Sequence, residues 1–423
     1  MTLRIALAQI GCIPGDAEGN AARAVAACGA AAAQGADLVL TPLLALHGLC
    51  PTALAGLAAW PQLAVVLGQT PASAEVLVGG RPVARLAAGA PRCIELAGQR
   101  MAIVFDQDFA ALAAGIDAAS ATESAVAVLA PALAEAELLL LPAAWPARFD
   151  DFDERETVPA EVARRLRLPL LCVNPVGGDD ATRFDGSSFA FDAFGTEQAR
   201  LALAQPALAL LELDRAGRAD QHQLALRRGP IEPRLPPEAR WLRLLLAAIA
   251  ERVPDRAQIA DDGGIGAALL GWLCRRALGA DRVVAADDGV ARRLLPLDRS
   301  ARICGPAAAV DLEAWAPLRD MYRSEIVRLA LWLADDGANL DRALARAGRG
   351  GLRDRAGQPL PAADIVDEIL QLALDDGLAE RRILARGFDP ADTARLLQAV
   401  RDFIADPPRT PVGPRWRPER EPQ

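Results

Sequence analysis

LRIALAQIGCIPGDAEGNAARAVAACGAAAAQGADLVLT, residues 3–41, decides the fold class of this chain. Leu3 to Gln9 alternates as a strand does, Asn20 to Gln34 is an alanine-rich helix closed by Gly35, and Asp37 to Thr41 is a short apolar strand. Strand, helix, strand in that order opens an α/β layered domain. Further strands are expected at Val76 to Gly79, Met101 to Phe105, Glu137 to Leu141, Pro169 to Asn174 and Leu208 to Leu213. Helices are expected at Ser124 to Ala136 and Pro159 to Leu166.

From Leu226 to Glu238 the sequence LRRGPIEPRLPPE is rich in proline and arginine and has no periodicity, which marks a linker. A helix follows at Ala239 to Arg252. Then comes a compact unit: strand at Gln258 to Ala260, a glycine-rich turn, helix at Ala267 to Leu278, and strand at Arg282 to Ala286. Helical patterns at Tyr322 to Asp335, Ala363 to Asp375 and Pro390 to Ala405 complete it, and PPRTPVGPRWRPEREPQ reads as a tail, solvated or ordered on contact. The expected organisation is residues 1–225, a linker 226–238, a second domain 239–407 and a tail 408–423.

Composition removes several chemistries. All 46 Lys and Arg side chains are arginine, so no amine is present to shuttle protons or form a Schiff base. The seven cysteines are scattered without a C-x-x-C pair, which argues against a disulfide framework and a structural zinc. A net charge of −9 with arginines interleaved among acids offers no field for nucleic acid. No charged leader precedes an apolar run at the start and no apolar run would span a bilayer, so the expected location is the cytoplasm, with no membrane partner.

Three segments together resemble the glutamine-dependent NAD+ synthetases, in which a nitrilase-like glutaminase domain is fused to an ATP-dependent amide-forming domain. They are the opening LRIALAQIGCIPGDAEGN with GADLVLTPLLALHGLCP, the central RLPLLCVNPVGGDDATRFDGSSFAFDAFG, and the closing APLRDMYRSEIVRLALWL with LPAADIVDEIL and GFDP. The resemblance runs from Met1 to about Trp416. It implies a four-layer α-β-β-α sandwich followed by a smaller doubly wound α/β domain of the adenine-nucleotide hydrolase type.

The same resemblance places the family's functional positions on residues that cannot serve. Glutamine hydrolysis on this fold uses a cysteine nucleophile, a glutamate base and a lysine beside the oxyanion. The glutamate position holds Leu43, the cysteine position Asp106, the following glutamate Gln107, and the chain has no lysine. Family members bind ATP and Mg²⁺ on a Ser-Gly-Gly-x-Asp-Ser loop. Here that loop reads Asp262-Gly263-Gly264-Ile265-Gly266-Ala267, keeping the glycines and losing both serines and the aspartate. Asp261 and Asp262 put carboxylates where phosphate oxygens would lie, and like charges about 4 Å apart cost on the order of 4 kcal/mol at an effective dielectric near 20. Helix capping in the first turn is the other account of these acids. The family lysine of the next helix falls on Arg323, and its late Lys-Arg pair near Asp406 and Pro407.

His47 lies near the mouth of the former glutaminase pocket, either as a base or with no role. With Gln107, Asp185 and Ser187 it outlines an expected pocket, to which Leu43 and Asp106 also contribute. The acidic run Asp150, Asp151, Asp153, Glu154 and Glu156 reads as a loop neutralised by Arg148 and Arg155. The expected protein has no intact catalytic residue, holds no metal, and assembles with itself or with an active synthetase.

Overall fold

The structure is a computed structural model and describes residues 2–43, 55–70, 72–89, 92–117, 133–149, 152–214, 223–260, 262–284, 291–305, 311–347 and 352–417. It divides into two compact units: Met1–Asp179 with Phe184–Leu235, and Asp180–Arg183 with Pro236–Gln423.

The first unit begins with β1 (Thr2–Gln9), α1 (Ala17–Ala33) and β2 (Leu38–Leu40), within a residue or three of the expected limits. Then follow β3 (Ala64–Thr70), β4 (Ser73–Val78), β5 (Arg81–Ala87), β6 (Arg92–Leu96) and β7 (Gln99–Ile103). α2 (Asp106–Asp117), β8 (Leu138–Pro142), α3 (Phe152–Leu166) and β9 (Leu170–Val173) alternate. β10 (Val176–Gly178), β11 (Arg183–Asp185), β12 (Phe189–Phe191), β13 (Glu197–Arg200), β14 (Ala207–Asp214) and β15 (Gln223–Arg228) end the series. Seven strands form one sheet in the order β15-β14-β1-β2-β3-β4-β5, and six form another in the order β13-β12-β9-β8-β7-β6.

Alternation along each strand sorts side chains into layers. Ile5, Leu7, Leu38, Leu40 and Val66 from the first sheet pack against Met101, Ile103, Leu138, Leu140 and Val173 from the second. Ala6, Ala8 and Val39 face the other way, onto Ala21, Ala24, Cys28 and Ala31 of α1. Ala102, Leu139 and Leu141 do the same on the second sheet, against Phe109 and Leu112 of α2 and Val162 and Ala163 of α3. Helix, sheet, sheet, helix is the resulting order. Because both faces of the central strands are covered, LLLL at 138–141 is buried throughout rather than on alternate residues.

In the second unit α4 (Pro237–Arg252) leads to β16 (Ala257–Ile259), α5 (Ile265–Leu278), β17 (Val283–Val284) and β18 (Arg292–Leu294). These strands form a parallel sheet in the order β17-β16-β18. α6 (Arg299–Cys304), α7 (Arg323–Asp335), α8 (Asp341–Ala347), α9 (Ala363–Leu370), α10 (Glu380–Leu384) and α11 (Pro390–Ala405) follow. α9 continues into a π-helical turn, Gln371–Asp375, where one helix had been expected.

Several expectations need correction. Leu226 to Arg228 is not linker but the end of β15, where Leu226 pairs with Leu211; a partner strand supplies what periodicity could not show. α3 starts at Phe152, so Pro159 lies inside the helix, and the run read as a neutralised loop contributes Asp153, Glu154 and Glu156 to its first turns. Of the two accounts of the tail, ordered on contact is the one found as far as residue 417, where Trp416 is fully buried and Arg417 nearly so. The helix expected at Ser124 to Ala136 lies mostly outside the described residues, as do Asp150, Asp151 and Ala285 to Ala286.

Candidate functional site

β7, β8 and β9 are parallel neighbours, and the residues just past their carboxyl ends gather in one place, where α/β sheets present reactive groups. After β7 comes Asp106 at the head of α2, after β8 Ala144 and Trp145, and after β9 Asn174. β11 ends at Asp185, and the turn beyond it carries Ser187 at a left-handed φ of 51°.

Asp106 Oδ2 accepts a hydrogen bond from Ala144 N at 3.2 Å, while Oδ1 is buried without a partner. Burial lifts the carboxyl to about 6, against the Ala144 bond, the Trp145 indole and the Arg155 charge, which favour the anion. Beside it a small pocket is lined by Trp145, Arg155, Cys172, Asn174, Asp185, Gly186, Ser187 and Phe189. Arg155 holds Asp185 in a fork, Nη1 to Oδ2 at 3.0 Å and Nη2 to Oδ1 at 3.2 Å, and lies 5.3 Å over the Trp145 ring. Asn174 Nδ2 donates to Asp185 Oδ1 at 2.9 Å, and its Oδ1 accepts from Trp145 N at 2.7 Å. Ser188 Oγ donates to the buried Gln9 Oε1 at 2.8 Å and accepts from Asn174 N at 3.0 Å.

Apart from Asp106 Oδ1, the hydrogen-bonding groups described above are satisfied by one another or by backbone. Burial raises Asp185 above the usual carboxylate range even though Arg155 pulls it down. Among the described residues that line the pocket, Cys172 alone carries a thiol, and burial, reinforced by Asp106, keeps it protonated. Among the described residues no group of three or more His, Cys, Asp or Glu could hold a metal ion.

Of the residues expected here, Asp185 and Ser187 line the pocket and Asp106 adjoins it. Gln107 does not contribute: one residue further round the helix, its side chain faces solvent. Leu43 is wholly buried between the sheets, outside the pocket lining, and its N donates to Ala143 O at 3.0 Å. Both were expected to line it. His47 lies outside the described residues. Sequence reasoning missed Arg155, Asn174 and Trp145. Asn174 stood in the quoted VNP, but Arg155 was assigned to its neighbouring acids, and nothing local points it at Asp185.

In the second unit, the turn between β16 and α5 sits at the carboxyl end of the central parallel strand. Gly263 takes φ +71°, and Gly264 caps the helix without a side-chain bond. Asp262 does not cap α5 as one account of these acids had it. Its Oδ1 accepts from Gly264 N at 2.8 Å, before the helix starts, and the first turn of α5 holds no acid. Gly266 is packed, since a Cβ there would stand 3.1 Å from Pro296 O, and Ala267 is buried. Asp261 lies outside the described residues.

Comparisons with known proteins agree with this architecture. A solved structure of glutamine-dependent NAD+ synthetase from Acinetobacter baumannii, in complex with ADP, covers 100% of this chain and 98% of its own, with a TM-score of 0.67 at 18% identity. The glutamine-dependent NAD(+) synthetase of Rhodobacter capsulatus is 30% identical over 359 residues, 73% of this chain. That of Synechocystis is 33% identical over 134 residues, 31% of this chain and 23% of its own. The chain spans 63% of the length of the Rhodobacter relative. No family model matches it. The chain is an α/β protein with a nitrilase-like α-β-β-α sandwich and a C-terminal α/β unit. It is related in sequence and fold to the glutamine-dependent NAD+ synthetases.

Proposed function

We propose that this chain is a relative of the glutamine-dependent NAD+ synthetases that has lost both the glutaminase and the ligase site and acts by binding, as a regulatory or scaffolding protein. The observation that carries this reading is Asp106. Where the resemblance calls for a thiolate, the chain has a buried carboxyl lifted to about 6, beside a pocket whose Arg155 is engaged by Asp185. A carboxylate there repels the negative charge that acyl transfer develops, and Leu43 offers no proton acceptor. Triad residues act as a unit, so their joint replacement leaves little rate to recover.

The second unit supports the same conclusion. The glycine-rich turn is formed, but it presents the Asp262 carboxylate and the apolar Ala267 in place of two hydroxyls and a metal-binding aspartate. Those residues do not fit a magnesium-bound triphosphate. The protein is proposed to work in the cytoplasm, as a homo-oligomer or with an active synthetase, without nucleic acid or membrane.

The deciding experiment measures NAD+ formation by the purified protein from deamido-NAD+, Mg-ATP and either ammonia or glutamine, beside a mock purification. Neither nitrogen source should give product above the mock. Product with ammonia alone would establish the second reading, an ammonia-dependent synthetase with atypical residues, which the preserved strand-turn-helix at 257–278 favours. That reading also requires ATP to bind at millimolar concentration in a direct titration.

A further inference from the structure

A group of buried charges lies in the second unit, apart from the glycine-rich turn. Arg299, Arg302, Asp320, Glu325 and Arg417 are each less than a tenth exposed, and Tyr322 is fully buried among them. Arg299 pairs with Asp320 at 2.5 Å and with Asp375 at 3.0 Å. Arg417 reaches this group from far along the chain, and each of its three guanidinium nitrogens meets an acceptor. Nη1 donates to Asp320 O at 2.8 Å, Nη2 to Glu325 Oε1, and Nε lies 3.3 Å from Asp375 Oδ2. Its central carbon stands 4.8 Å over the Tyr322 ring. Asp320 Oδ2 in turn accepts from the backbone N of both Trp416 and Arg417 at 2.8 Å.

The segment bearing this side chain is held like an extended ligand. Val412 forms a strand bridge with Trp315, and its O accepts from Ala316 N at 2.9 Å. Gly413 lies flat on the unit, since a Cβ there would fall 2.0 Å from Ala316 O. Upstream, Asp406, Pro407 and Arg409 are exposed, so the connection to α11 is a tether rather than packing. Without Arg417, three carboxylates would face the two remaining arginines, leaving a buried excess of negative charge.

We propose that Asp320, Tyr322, Glu325 and Asp375 form an arginine-recognition socket and that residues 412–417 are its ligand, bound in cis as a strap that closes the second unit. The geometry selects a guanidinium, because a lysine ammonium cannot meet three separated acceptors and stack on the ring together.

The test uses the whole chain, folded before it is cut. A protease recognition sequence placed at 406–409 is cleaved after purification, and retention of the released segment is followed by sizing and mass measurement. It should stay with the body, whereas Arg417→Gln should weaken retention by about 100-fold or more and Arg417→Lys by at least about tenfold. Exchange of a labelled peptide of residues 409–417 into the cut protein, read by anisotropy, makes the same comparison with substitutions in the peptide alone. Escape of the unsubstituted segment, or equal binding of the Gln or Lys peptide, overturns the proposal.

Discussion

At position 106 a carboxyl group is held out of water with one hydrogen bond, from Ala144 N. Its folded value of about 6 lies above its ordinary 3.8, so the folded state binds the proton more tightly than the unfolded chain does. The stability this side chain supports is therefore full below about pH 3.8 and is lost as pH rises through about 6. Asp106→Asn keeps an acceptor for Ala144 N and removes the charge. It should raise the unfolding free energy at pH 7.5 by about 2 kcal/mol, with the gain vanishing near pH 4, as read by urea unfolding at both values. Arg155→Met should do the reverse. It strands Asp185 in a fully buried position, and loss of about 3–5 kcal/mol is expected in the same assay; an unchanged midpoint would show that Asp185 sits there protonated without needing its partner.

Elements were legible wherever one face of the pattern was enough. α1 shows its small residues at Ala21, Ala24, Cys28 and Ala31, a spacing that periodicity finds without help, and α11 matches its expected limits because Asp389 and Pro390 start it. The head of α3 was not legible: Arg155, the residue that anchors it, finds Asp185 thirty positions away. The segment at 412–417 was hidden for the same reason, as its proline-rich sequence carries no period and its order comes from Trp315, Asp320 and Glu325. Trp416 is wholly buried, and Trp416→Ala should cost about 3–5 kcal/mol in thermal unfolding of the full chain. A cost within error of zero would mean the segment adds no packing energy.

On the scale of the whole molecule, both compact α/β units are formed, while the proposed reading has the residues of the family chemistry replaced. Core layers tolerate substitution provided volume and pattern are kept, whereas a nucleophile, a base and a phosphate cradle do not. No helix among the described residues is long and apolar enough to cross a membrane. In the proposed reading the chain binds without catalysing, and the partner proposed for it is an active synthetase. Mixed and passed through a sizing column together, the two should co-migrate; separate elution at micromolar concentration would remove that partner.

By itself the sequence determined the layered α/β class, the glycine-rich turn and the absence of any lysine, because alternation, helical spacing and residue chemistry are local properties. Tertiary structure alone decided that Gln107 faces water while Asp106 Oδ1 is buried, that Arg155 closes on Asp185, and that Arg417 seats on Tyr322. Each of those outcomes depends on the burial and charge that distant segments bring to one place, and no local pattern carries that information.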